Sequence, residues 1–133
     1  MKHCPCGFDK NYNDCCGRYI ESQENASTPE LLMRSRYTAY TLANIDYIVK
    51  TMKYKAAEHF DAADAKQWAE SVTWLGLKVL NASMENARGN VEFIAYYQAG
   101  NQQHELHEKS EFVCENGKWF YIDGKVTIKK QEL

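Results

Sequence analysis

Glu111-Phe112-Val113-Cys114-Glu115-Asn116-Gly117-Lys118-Trp119-Phe120-Tyr121 holds two alternating runs joined by Asn-Gly, the pair best suited to the left-handed backbone of a two-residue hairpin loop. Closing the loop on Asn116 and Gly117 sets the register. Glu115 then opposes Lys118, Cys114 opposes Trp119, Phe112 opposes Tyr121 and Ser110 opposes Asp123. All but the first pair share a face with Leu106 and Glu108. Aromatic and sulfur groups fill one end of that face, and Glu108, Ser110 and Asp123 gather at the other.

Upstream, the period of two extends back to Thr73. Leu75, Leu77 and Val79 alternate with Trp74, Lys78 and Ala82, and Val91, Phe93, Ala95 and Tyr97 alternate with Glu92, Ile94 and Gln98. Turns are expected at residues 86–89 and 100–102. Before Thr73 the spacing is helical. Thr28 followed by Pro29 reads as an N-cap and first helical residue, with Leu32, Arg36, Ala39, Tyr40, Ala43 and Tyr47 in helical register. Asp46 is expected to cap a second helix running through Lys53, and Asp61 a third over Ala62 to Val72. Three helices and then an antiparallel meander give an α+β domain over residues 27–128.

Residues 1–20 are read as a separate module. Cys4-Pro5-Cys6 and Cys15-Cys16 supply four thiolates from two short stretches, a full tetrahedral set for one structural Zn²⁺ with no open position for water. Gly7 and Gly17 follow the two pairs, where backbone N–H groups can approach the sulfurs. Two disulfides are the alternative. They belong to oxidising compartments, and the start of the chain has no apolar leader and no later run long enough to span a membrane. A cytoplasmic zinc protein is the expectation. Residues 21–27, Glu-Ser-Gln-Glu-Asn-Ala-Ser, are polar and aperiodic and read as a hinge.

Cys4-Pro5-Cys6-Gly7, Lys10, Tyr12 and Cys15-Cys16 resemble the SEC-C motif, the zinc knuckle at the carboxyl end of the SecA translocation motor. Residues 17–19 and 28–40, Trp74-Leu75-Gly76-Leu77, residues 107–112 and residues 117–124 are similar to the bacterial YchJ family. The resemblance implies a knuckle joined to a nuclear transport factor 2-like (cystatin-like) domain, a curved sheet wrapped against helices around a cone-shaped cavity. It supplies no reaction. Phe8-Asp9 stands where SEC-C motifs have a small Ser-Gly pair, and Lys10 lies among Asp9 and Asp14. That acidic loop departs from the lysine-rich SecA knuckle, which binds an export chaperone and the ribosome.

The chain has 133 residues, 16 basic and 18 acidic, and a net charge of −2. A chain this long buries roughly two-thirds of its unfolded surface. Four ionised thiols and one Zn²⁺ would bring the charge to about −4. An acidic chain without a basic tract is not built for nucleic acid in general, which leaves a weak RNA contact through Lys2, Lys10 and Arg18 as a minor alternative.

Two functional readings follow. In the first, the knuckle is an adaptor that offers exposed Phe8 and Tyr12 to a protein partner as hot spots. In the second, the cavity binds a small molecule or performs a reaction. Arg36, or failing it Arg34, would meet Glu108, Ser110 and Asp123, with Tyr37, Tyr40, Trp74, Trp119 and Tyr121 as walls. The simpler account of Arg36 and Glu108 is an ion pair that orients the helix on the sheet. His107 points away from Glu108, and His104 and His107 lie on opposite faces. Cys114 reads as a core thiol, and His59 has no evident partner. No phosphate loop or serine elbow is present.

Overall fold

The computed structural model describes residues 3–130; Lys2 lies outside them. A 3-10 turn (Tyr12–Asp14) and a one-turn helix α1 (Gly17–Ile20) are followed by α2 (Pro29–Thr41), α3 (Ile45–Lys50), α4 (Lys55–Glu58) and α5 (Ala62–Ser71). Four strands then form a meander in the order β1-β2-β3-β4: β1 (Thr73–Glu85), β2 (Arg88–Ala99), β3 (Gln102–Glu115) and β4 (Lys118–Lys130). No described helix is long and apolar enough to cross a membrane.

The caps explain where the helices start. Thr28 Oγ1 accepts from Leu31 N at 3.1 Å, and Asp61 Oδ1 accepts from Asp64 N at 3.0 Å, each contributing about 1 kcal/mol. At α3 the cap is Asn44, whose Oδ1 accepts from Tyr47 N at 3.1 Å, not Asp46. The helix also ends at Lys50 instead of Lys53, because the next residues leave it to join the sheet. Tyr121 N donates to Thr51 O at 2.9 Å and Lys53 N donates to Tyr121 O at 3.0 Å, so the segment after α3 is fastened to β4.

Asn116 and Gly117 take the positive φ values, 53° and 79°, that a two-residue loop requires. Cys114–Trp119 and Phe112–Tyr121 pair as expected, but Ser110 pairs with Gly124 and Glu111 with Asp123. The cause is a bulge at Ile122, which slips the register by one. A second bulge, at Leu75, lets Trp74 and Leu77 face the same side, opposite Tyr97 and Ala95. Leu75 is thereby turned outward and exposed, contrary to the simple alternation.

The core runs without a break from the cysteines through Tyr19, Leu32, Met33, Tyr37 and Ile48 to Val91, Phe93, Phe112 and Trp119 on the concave face of the sheet. Within the expected hinge, Ala26 is buried and Glu24 N donates to Arg18 O at 3.0 Å. Where α2 meets the sheet, Gly89 has no room for a Cβ beside Pro29.

Candidate functional site

Two sites flank α2. Successive helical residues are about 100° apart, so Arg34 and Thr38 lie on the side turned to the cysteines, while Met33, Arg36, Tyr37 and Tyr40 reach the concave face of the sheet. Arg34 and Arg36 are therefore not alternatives for one role. Nη1 of Arg34 donates to Cys6 O at 2.7 Å and Nε to Glu30 Oε2 at 2.9 Å. Its guanidinium lies 3.9 Å from the centre of the Phe8 ring. Arg34 thus serves the cysteine loop and does not line the cavity.

Cys4, Cys6, Cys15 and Cys16 are all buried, and their sulfurs lie within 4.8 Å of one another. A tetrahedral thiolate centre with metal–sulfur bonds of about 2.3 Å places its sulfurs roughly 3.8 Å apart, so the four fit one ion. The Cys6 and Cys15 sulfurs are 3.6 Å apart, whereas a disulfide requires about 2.05 Å. Thr38 Oγ1 lies 3.7 Å from Cys4 Sγ. Crowding disturbs the thiols unequally. Hydrogen bonds from Cys16 and Cys6 hold Cys4 far below the ordinary thiol range. Hydrogen bonding to Cys4 and Cys6, with burial, drives Cys16 far above it, and burial pushes Cys15 up to about 12. The cluster is poorly suited to carrying four negative charges unaided, and a divalent cation removes that conflict.

The expected exposure of Phe8 and Tyr12 is corrected. Phe8 is half-buried beneath Arg34, and Tyr12, also half-buried, donates to Glu21 Oε2 at 2.8 Å.

The second site is a cavity of about 340 Å³ between the helices and the concave face. Tyr37, Tyr40, Trp74 and Tyr121 line it as expected, together with Arg36, Glu108, Ser110 and Asp123. Trp119 does not. It shares the Tyr121 face but sits two residues nearer the hairpin tip, buried beside Tyr19, Ala26 and Tyr47. Sequence reading missed Trp68, Phe60, Met52 and Gly124. Trp68 stands on α5, Phe60 in the loop between α4 and α5, and Met52 in the segment after α3 that pairs with Tyr121, and the bulge at Ile122 turns Gly124 inward.

Arg36 and Glu108 do not form the expected ion pair: among the described residues, no carboxylate lies within 4.0 Å of Arg36. Nη1 of Arg36 donates to Ile48 O at 2.9 Å and Thr51 Oγ1 at 2.7 Å, and the guanidinium lies 4.6 Å from the centre of the Tyr121 ring. Tyr121 OH and Ser110 Oγ both donate to Glu108 Oε2, at 2.7 and 2.8 Å. The two charges are thus linked through Tyr121. Burial lowers the Arg36 pKa. Tyr121 is pushed up by burial and the Glu108 charge, Tyr40 by burial, and Tyr37 by burial up to about 12. The phenols therefore stay neutral donors.

The histidines lie elsewhere. His107 Nε2 is 2.7 Å from Glu92 Oε2 on the convex face, and His104 stacks on Tyr97 at 5.1 Å. His59 is exposed in the loop after α4, and Cys114 packs against the core opposite Trp119.

A helix-lined cavity on a curved four-stranded sheet, preceded by a four-cysteine cluster, is a nuclear transport factor 2-like domain carrying a SEC-C-type module. Residues 28–124 match the family model described as the middle NTF2-like domain of YchJ, and the chain belongs to the YchJ family. A UPF0225 protein of Haemophilus influenzae is 37% identical over 96% of this chain and 80% of its own length. One from Geobacter sulfurreducens is 40% identical over 91% and 77%. The solution structure of a SEC-C motif containing protein from Rhodopseudomonas palustris superposes with a TM-score of 0.86 at 40% identity, covering 93% of this chain and 98% of that one. A putative Ca/calmodulin-dependent kinase II association domain from Exiguobacterium sibiricum, with a TM-score of 0.57 at 10% identity over 82% of this chain and 98% of that one, shares the fold alone.

Proposed function

We propose that this chain is a small-molecule-binding protein of the cytoplasm whose fold is secured by a structural zinc ion. The observation that carries the reading is the polar centre of the cavity. A carboxylate and a guanidinium are held under aromatic walls without neutralising each other directly, although ion pairing would be the cheaper way to bury both. A cavity of about 340 Å³ is at the small end of ligand sites, which run from about 300 to 1,000 Å³. Zn²⁺ bound by Cys4, Cys6, Cys15 and Cys16 would leave no coordination site for catalysis. Its part is to fix the loop that Arg34 holds against α2, and four reduced cysteines suit a reducing compartment.

The test is a thermal-shift screen of metabolites on the zinc-loaded chain and on Ala95→Phe. Ala95 is buried in the cavity wall, so a phenyl group there fills the space. A compound that raises Tm in the native chain and not in the filled one supports the reading. Equal shifts in both, or no shift with any compound, would refute it.

A further inference from the structure

Resting on the cavity reading just given, we infer the class of ligand: a neutral, planar ring system whose edge presents a hydrogen-bond acceptor beside an N–H donor, as in a lactam or cyclic imide. Three observations converge on it. Both hydroxyls that reach Glu108 donate to Oε2; among the described residues, none donates to Oε1, although the side chain lines the cavity. A carboxylate oxygen in a cavity wall selects a donor. Arg36 is buried, with 7% of its surface exposed. It uses Nη1 on Ile48 and Thr51, and the residue also lines the cavity, where its remaining N–H groups select an acceptor.

Charge then decides between ligand types. A cationic ligand would approach Arg36, and an anionic one would approach Glu108; each brings a like charge into a site of low dielectric. A neutral donor–acceptor edge satisfies both residues and meets no repulsion. The walls supply the planarity. Tyr37, Tyr40, Trp68 and Trp74 form a continuous aromatic lining, with Trp68 and Trp74 edge to face at 5.1 Å and Tyr37 and Trp74 at 5.7 Å, against which a flat ring packs. The volume admits one or two fused rings.

The experiment titrates zinc-loaded protein with four matched bicyclic probes and follows tryptophan fluorescence, since Trp68 and Trp74 line the cavity. Isoquinolinone carries the lactam edge. Isocoumarin replaces its N–H by oxygen at the same size, and naphthoate and naphthylmethylammonium are anionic and cationic. Isoquinolinone is expected to bind at least about tenfold more tightly than isocoumarin, because the lost donor leaves the carboxylate oxygen unmatched, and more tightly than either ion. In Glu108→Gln, Tyr121 and Ser110 hold the amide oxygen and the NH₂ group faces the cavity, so the gap between lactam and lactone closes. If a charged probe binds best, or isocoumarin matches isoquinolinone in the native chain, the ligand class is wrong while the cavity reading stands. If all four leave the fluorescence unchanged, both fall.

Discussion

Gly124 stands where any Cβ would overlap the Glu108 carboxylate and the Tyr121 hydroxyl. The polar centre of the cavity therefore depends on a residue with no side chain, brought opposite Ser110 by the bulge at Ile122.

Gly124→Ala is expected to break the Tyr121–Glu108 hydrogen bond and to lower stability by about 1–3 kcal/mol through overpacking. Gly117→Ala, in the hairpin loop with open space around it but φ at 79°, should also lower Tm, through backbone strain alone. The two separate on ligand response, which only the Gly124 variant loses. An unaltered Tm and ligand response in Gly124→Ala would show that the close approach is not needed.

Metal analysis of reductively purified protein is expected to give one zinc per chain. Cobalt substitution should give the intense visible bands of a tetrahedral thiolate centre. Because the cysteines continue into the core through Tyr19 and Ile20, chelation should lower Tm of the whole chain and not merely release an independent module. A metal-free chain with undiminished Tm contradicts this.

Arg34→Lys keeps the charge and loses the fork that spans Cys6 O and Glu30. A buried acceptor left unmatched costs about 1–3 kcal/mol, so competition against a chelating dye should show metal affinity reduced by about tenfold or more. Equal affinity would reduce Arg34 to a surface contact.

Burial raises Tyr37 from 10.0 to about 12, which fixes a sign for alkaline denaturation. Below pH 10 both the folded and unfolded chains keep the phenol protonated, and its contribution to stability is intact. Between pH 10 and 12 the unfolded chain loses the proton first, so that contribution is lost as pH rises. Tm measured from pH 8 to 12 should fall less steeply in Tyr37→Phe than in the native chain. Parallel curves would mean that Tyr37 ionises as freely in the folded state as in the unfolded.

The strand order, the Asn116–Gly117 loop, the caps at Thr28 and Asp61 and the grouping of four cysteines were all legible, because each rests on local spacing or local hydrogen bonding. What escaped reading depends on a single inserted residue or on a distant partner. The bulge at Ile122 exchanges Asp123 for Gly124 opposite Ser110, and alternation has no signal for it. Arg36, and after it Arg34, was read as a candidate for one role, yet their separation of two along a helix points them to different sites, a distinction the 100° step already contained. The Arg36–Glu108 pairing failed for another reason: chemical complementarity in a sequence does not reveal that Ile48, Thr51 and Tyr121 reach the two groups first.

One helix, α2, is common property of the sulfur cluster and the aromatic chamber, with Thr38 and Arg34 turned one way and Arg36, Tyr37 and Tyr40 the other. Thermodynamic reciprocity then binds the two: whatever factor the ion contributes to the hold on an occupant, the occupant must return to the hold on the ion. If Zn²⁺ and a ligand bind as proposed, any loosening of the chamber on zinc removal must equal the loosening of the zinc site when the ligand leaves.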